Sequence, residues 1–122
     1  MARTDVPAQT LATYPSAAIA AGSADLTWTA ATVSGGNDSV FTLGKTILFA
    51  RNVGASASHN VTITSAPDSL GRLGDLGSYV LAAGKVARFG PFVMEPGWST
   101  AGRLLFSADS AEVQFCVLTL PV

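Results

Sequence analysis

Charged side chains are scarce in this sequence. Asp, Glu, Lys and Arg make up 12% of its 122 residues, about half the share of an average soluble protein, and the net charge is −1. The basic residues are scattered, whereas binding to nucleic acids or to lipid surfaces by electrostatics requires a basic patch. We therefore expect neither a nucleic acid nor a membrane as the partner. Because 48% of the residues are hydrophobic, we expect other protein chains to cover part of the surface.

Cysteine and histidine each occur once. A single cysteine excludes an internal disulfide and any multi-cysteine metal site. Cys116 falls on the opposite strand face from Val113, Phe115 and Val117, and we expect a half-buried, inert thiol. His59 stands where a loop enters a strand, without an orienting carboxylate nearby in the sequence and without a nucleophile-elbow motif. We expect it to be a plain surface histidine.

Other catalytic and ligand-binding patterns are also missing. The glycines of GRLGDLG (71–77) do not lie between a strand and a helix, so they form no dinucleotide fingerprint. Asp109 and Glu112 are close in sequence, as are Asp68 and Asp75, but carboxylates in turns usually cap backbone amides. None of these loops has the ligand spacing of a calcium-binding loop. We expect no enzymatic activity, no cofactor and no metal.

Long apolar runs are absent. No stretch approaches the roughly 20 apolar residues of a membrane helix. The start, MARTDVPAQT, lacks the apolar core of a signal peptide, so we expect the protein to be made and used without secretion.

The clearest positive signal is an alternation of period two. Apolar residues alternate with threonine in Leu26–Thr29 and in Val61–Thr64, as in half-buried strands. Turn residues separate such segments, and no run has helical period. We predict an all-β fold, a single β-sandwich or jelly roll of about eight short strands. The predicted strands lie near Leu26–Thr29, Ser39–Leu43, Lys45–Val53, Val61–Thr64, Ser78–Ala82, Val86–Phe92, Arg103–Ser107 and Glu112–Leu120.

The N-terminal residues have a different character. Pro7 and Pro15 interrupt a stretch that is rich in Ala, Ser and Thr and alternates too weakly for a confident strand. We predict an extended N-terminal arm over residues 1–22, lying on a neighbouring subunit or on its own sandwich. Residues 23–122 are then the β-sandwich domain. The alternative for the arm is a poorly ordered terminus.

The longest predicted connection is SAPDSLGRLGDLGSY (65–79). Its glycines and Asp68 are explained by a turn that satisfies its own backbone groups. Arg72 is explained less well, because an exposed ion pair with Asp68 or Asp75 contributes only about 0 to 1 kcal/mol. We expect this loop to project from one end of the sandwich and Arg72 to contact either a neighbouring subunit or a larger assembly to which the protein binds. Arg72→Ala should then weaken that contact and leave the melting temperature nearly unchanged.

Several segments together resemble the small head decoration, or cement, proteins of tailed bacteriophages. The segments span nearly the whole chain, but they are strand and turn signatures and include no catalytic motif. In order they are TLATYP, SADLTW, ILFARN followed by a small-residue turn and HNVTITS, PDSLGRLGD, AAGKVARFGPF, a Gly-Trp turn and LLFSADSAEVQFCVL.

The resemblance implies a structural role in the virion. Such proteins bind the outer surface of the expanded capsid, bridge neighbouring major capsid subunits and help the shell to resist internal DNA pressure. It implies the major capsid protein as partner and assembly in the host cytoplasm. We expect a homo-oligomer, favouring a trimer, although dimers and monomers are compatible with such a role. The residues expected at the capsid or subunit interface are Thr10, Leu11, Tyr14, Asp68, Arg72 and Asp75.

Two other functions stay open from the sequence. One is a carbohydrate- or receptor-binding β-sandwich module of a phage tail or cell-surface protein, which would require Trp28, Trp98, Tyr14 or Tyr79 exposed in a row. The other is a small hydrolase in which His59 meets an acid and a nucleophile.

Overall fold

The computed structural model describes residues 3–10, 26–42, 44–65, 76–92, 99–100 and 102–120. Within these ranges the chain forms β-strands and no helix, which confirms the predicted all-β fold. Accordingly, this part of the chain contains no helix long and apolar enough to cross a bilayer. The strands are β1 (Thr4–Asp5), β2 (Ala8–Thr10), β3 (Thr29–Ala30), β4 (Asn37–Val40), β5 (Thr46–Asn52), β6 (His59–Thr64), β7 (Leu76–Leu81), β8 (Val86–Phe89), β9 (Ser99–Thr100), β10 (Arg103–Ala108) and β11 (Val113–Thr119).

The strands form two sheets around one core. The first sheet has the order β1-β4-β10-β6-β7, with β9 also paired to β10; the second has the order β2-β11-β5-β8, with β3 also paired to β11. Without β1, β2 and β9, all pairs are antiparallel. The remaining orders, β4-β10-β6-β7 and β3-β11-β5-β8, are those of an eight-strand jelly roll. These eight strands correspond to the eight predicted segments.

The core follows the alternation of side chains along the central strands. In β6, Val61 and Ile63 are fully buried while the two threonines are partly exposed, as predicted. Phe106 of β10 contacts Phe115 of β11 in an edge-on arrangement with ring centroids 4.7 Å apart. This contact joins the two sheets at the centre of the sandwich.

Some strand boundaries differ from the prediction. Thr29–Ala30 is the strand near the predicted Leu26–Thr29, and Leu26 is exposed. Trp28 does not continue a core-facing alternation: the guanidinium of Arg51 lies 4.3 Å from its ring centroid, on the outer face of the second sheet. A cation–π contact therefore holds this tryptophan outside the core.

Residues 3–10 of the predicted arm lie on the sandwich of their own chain. β1 runs parallel to β4 in the first sheet, and β2 runs parallel to β11 in the second. Between them, Val6 is fully buried in the core. Residues 11–22 and the predicted boundary at residue 22 lie outside the described residues, so the extent of the arm stays a prediction.

Candidate functional site

The sandwich has two lateral edges, and each is built by a segment that passes from one sheet to the other. The N-terminal edge consists of residues 3–10, which contain β1 and β2. The β7/β8 edge consists of residues 76–89, in which β7 ends the first sheet and β8 ends the second. The two edges differ in the exposure of apolar side chains, in the pairing of the backbone and in charge.

The β7/β8 edge exposes large apolar side chains. Val80 and Val86 are 62% and 60% exposed, and Leu76 and Tyr79 are 37% and 44% exposed. Tyr79 is opposite the buried Val61 and so lies on the inner face of its sheet. Its ring contacts the Phe89 ring edge-on, with the ring centroids 5.4 Å apart. Because Tyr79 is partly exposed, side chains from between the two sheets reach the surface at this edge. Leu76 and Tyr79 lie on the inner side of the edge, whereas Val80 and Val86 point to the outer faces of the first and the second sheet. Exposed apolar side chains along one edge are typical of a protein-binding surface.

The backbone of β7 is also open at this edge. β7 is six residues long, contains no charged residue and, within the described part of the chain, pairs only with β6. Natural sheets usually protect such a strand with charge, proline, a short length or a covering segment. The pairing of β7 with β6 shifts register between Leu76 and Tyr79, whereas Tyr79–Leu81 is regularly paired. This uncharged, regularly paired part of the edge strand is suited to accept a further strand.

The charges at the β7/β8 edge are all positive. Residues 76–92 contain Lys85 and Arg88 and no acidic residue. Both cations are exposed, and neither forms an ion pair within the described residues. Arg51 of the adjacent strand is in register with Val86, donates to the Gln114 side chain over 2.8 Å and adds a third positive charge nearby.

The N-terminal edge is closed by polar contacts. Arg3 donates to the carbonyl oxygens of Asn37 and Phe106 over 3.0 and 3.2 Å. The hydroxyl of the buried Ser39 donates to the Val6 carbonyl over 2.6 Å. These bonds hold the start of the segment against the first sheet, and the pairing of β2 with β11 holds its end against the second.

An ion-pair network completes the N-terminal edge. Arg103 contacts the carboxylates of Asp5 and Asp38, the latter over 3.1 Å. The hydrogen bond to Asp38 is the largest cause of a raised pKa of Arg103, and burial opposes it. The buried Nε atom of Arg103 has no hydrogen-bond partner among the described residues, and Nη2 makes the contacts with both Asp5 and Asp38.

The expectation that His59 is a plain surface histidine is wrong. Its Nδ1 lies 3.2 Å from an oxygen of Asp109, and its Nε2 lies 2.7 Å from an oxygen of Glu112. Only 15% of its side chain is exposed. Both ring nitrogens face carboxylates, so within the described residues no hydroxyl or thiol is positioned for activation by the ring. The cluster joins the start of β6 to the connection between β10 and β11.

Cys116 is fully buried, whereas half-burial was expected. The Gln9 amide, placed by β2, donates to its sulfur over 3.2 Å and also bonds the backbone of Thr27. Burial raises the pKa of the thiol, which lowers the fraction of reactive thiolate. Among the described residues no group of three potential ligands is arranged to hold a metal ion.

The predicted interface residues fall almost wholly outside the described part of the chain. Thr10 ends β2, where it is in register with Thr119. The other five, which lie outside the described residues, are Leu11, Tyr14, Asp68, Arg72 and Asp75.

The aromatic row that a carbohydrate-binding module would need is not formed by its two described members. Trp28 contacts Arg51 outside the second sheet, while Tyr79 contacts Phe89 between the sheets. Tyr14 and Trp98, the other two residues considered, lie outside the described residues.

Sequence reasoning did not single out the β7/β8 edge. The available signal was SYVLA, a predicted strand with apolar residues on both faces and no charge. A comparison with protein-family models, with curated proteins and with solved structures found no match.

Proposed function

We propose that this protein is a structural protein of a tailed-phage virion, which binds the outer capsid surface and stabilises the expanded shell by bridging major capsid subunits. The observation that carries the proposal is the β7/β8 edge, where an uncharged edge strand and exposed apolar side chains have the features typical of a protein-binding surface. The identity of the partner comes from the resemblance to decoration proteins.

The arrangement of the remaining polar groups favours binding over catalysis. The single histidine is held between two carboxylates, and the single thiol is buried with a raised pKa. Neither is presented to a substrate in the described part of the chain. The low content of charge also suits a protein that loses much of its surface to contacts with other chains.

Binding of this kind stabilises the shell by mass action. A ligand that binds the assembled lattice and not its separate subunits adds its binding free energy to the assembled state alone. A standard interface covers about 800 Å² on each partner. Because a shell offers many equivalent positions, modest contacts are multiplied over the whole lattice.

The proposal includes further components from the sequence. The protein would lie on the outer capsid surface after assembly in the host cytoplasm, as a homo-oligomer for which we favour a trimer. The residues that the sequence suggested for the capsid or subunit interface remain part of the proposal; they are Thr10, Leu11, Tyr14, Asp68, Arg72 and Asp75. Thr10 can take part only through groups that its pairing with β11 leaves free.

Co-sedimentation with capsid shells tests the proposed function. Purified protein is mixed with expanded and with unexpanded shells of its own phage and pelleted. We expect saturable binding to expanded shells and little binding to unexpanded ones. Retention in the supernatant with both shell forms contradicts the proposal.

A further inference from the structure

We infer that the β7/β8 edge takes up an extended segment of its partner that carries both apolar and acidic side chains, and that this segment adds as a strand beside β7. The inference rests on the proposed function, because a capsid subunit is the partner that would supply the segment. Three properties of the edge lead to it.

The first property is a preformed backbone. Adding a strand to an exposed sheet edge takes its affinity from main-chain hydrogen bonds, and it costs least when the accepting strand is already ordered. The end of β7 is anchored because the buried Asn52 amide donates to the Leu81 carbonyl over 3.0 Å. The backbone amide of Gly84 donates to the Asn52 carbonyl over 2.9 Å, which fixes the following turn.

The second property is a two-sided apolar surface. Leu76 and Tyr79 are opposite Ile63 and Val61, so they line the inner side of the edge, while Val80 points to the outer side. Successive side chains of an added strand also point to opposite faces. Apolar residues at alternate positions of the segment would meet Tyr79 and Phe89, and a residue between them would meet Val80.

The third property is a positive charge that is not balanced by an ion pair within the described residues. Lys85 and Arg88 are exposed without an ion pair in the described residues, and the stretch 76–92 has no acid of its own. A second copy of this chain would bring the same cations and no carboxylate from this stretch. Arg88 is in register with Phe49 and points to the outer side of the second sheet, so we place the acidic side chains where the segment leaves β7 and passes β8. These side chains supply the missing charge, so charge complementarity favours a different protein.

Matched charge variants test the inference on expanded shells. Val80→Asp places a negative charge on the edge, and Val40→Asp is the control, because Val40 is also an exposed strand valine, at 52%. Arg88→Glu removes the attraction, and Lys45→Glu changes the net charge equally at a position outside the β7/β8 edge. Affinities of the full-length variants are measured by co-sedimentation at low and high salt.

We expect Val80→Asp and Arg88→Glu each to weaken shell binding about tenfold or more, and the two controls to bind as wild type. Wild-type binding should weaken as salt is raised. Arg88→Glu replaces an exposed side chain, so it keeps the test decisive even if Val80→Asp disturbs folding.

The outcomes separate the inference from the proposed function. If wild type binds expanded shells and the edge variants bind equally well, the inference is wrong and the proposed function stands. If wild type binds neither shell form, both fail. Sedimentation velocity of wild type and Val80→Asp adds one further outcome. If wild type is an oligomer and Val80→Asp dissociates it, the edge binds a second copy of this chain, and the inference of an acidic segment from another protein is wrong.

Discussion

The two lateral edges of this sandwich differ in how far the chain itself covers them. At the N-terminal edge, two short strands cover both sheets, a valine fills the core between them, and Arg3, Ser39 and Arg103 tie the segment down. At the β7/β8 edge, a six-residue uncharged strand and four exposed apolar side chains face outward. One edge is covered by its own chain, whereas the other exposes its strand and its apolar side chains within the described residues.

The difference separates an edge that contributes to stability from the edge that we propose for binding. On the closed edge the Val6 side chain is fully buried and contributes to the free energy of unfolding. The Val80 side chain on the open edge is largely exposed in the free protein, so it contributes little to that free energy; under the proposed function it contributes to the free energy of binding. Substitutions at the two edges should therefore change different measured quantities.

The largest expected effect comes from shortening the buried valine. Val6→Ala removes two methyl groups from the core and should lower the free energy of unfolding by about 2 kcal/mol. Val80→Ala removes the same groups from an exposed position and should change it by less than about 0.5 kcal/mol. Urea unfolding measures both. Equal losses for the two valines would contradict the distinction between the edges.

A smaller effect is expected from the ion-pair network. Arg103→Ala leaves the carboxylates of Asp5 and Asp38 without their shared cation, and should lower the free energy of unfolding by about 1 kcal/mol, less at high salt. Arg88→Ala, which breaks no ion pair in the described residues, serves as the control and should leave stability nearly unchanged. If Arg88→Ala lowered the free energy of unfolding more than Arg103→Ala in the same urea titration, the assignment of the stabilising ion pairs to the N-terminal edge would be contradicted.

The reactivity of Cys116 reports on the closed edge without a substitution at the thiol itself. Burial raises the pKa of Cys116, so at any pH below that pKa the thiolate is less populated than in an ordinary thiol, and it increases as pH rises. Labelling of the native protein at pH 8 should be slow compared with the urea-unfolded chain.

Comparing variants links this reactivity to the segment that covers the sulfur. Because Gln9 of β2 contacts the thiol, Val6→Ala should speed labelling by loosening the N-terminal segment, while Val80→Ala should not. Fast labelling of the wild type would show that the thiol is accessible and contradict the closed edge.

Local pattern was sufficient to predict much of the fold. Val61 and Ile63 alternate with threonines that are more exposed, and turn residues separate the eight jelly-roll strands, so fold class followed from short-range signals. The short strands β1 and β2 could not be predicted from local alternation, because Pro7 interrupts the pattern there. They also depend on distant contacts, such as the hydrogen bond between Ser39 and the Val6 carbonyl. Two-residue and three-residue strands carry almost no periodicity.

The candidate site was harder to predict, for a related reason. SYVLA is recognisable as a strand, but whether a strand lies at an edge depends on the order of strands in the sheet. The contacts of His59 likewise join positions that are 50 and 53 residues apart in the chain. The composition led us to expect contacts with other protein chains, but it could not indicate which surface the fold leaves exposed.

Amide hydrogen exchange, measured on the free and the shell-bound protein, tests the central claim most directly. We expect residues 76–81 to gain strong protection on binding to expanded shells, because an added strand takes up the exposed hydrogen-bonding groups of β7. Residues 3–9, already bonded within the chain, should change little. Protection of residues 3–9 with unchanged exchange over residues 76–81 would contradict the assignment of the β7/β8 edge as the binding surface.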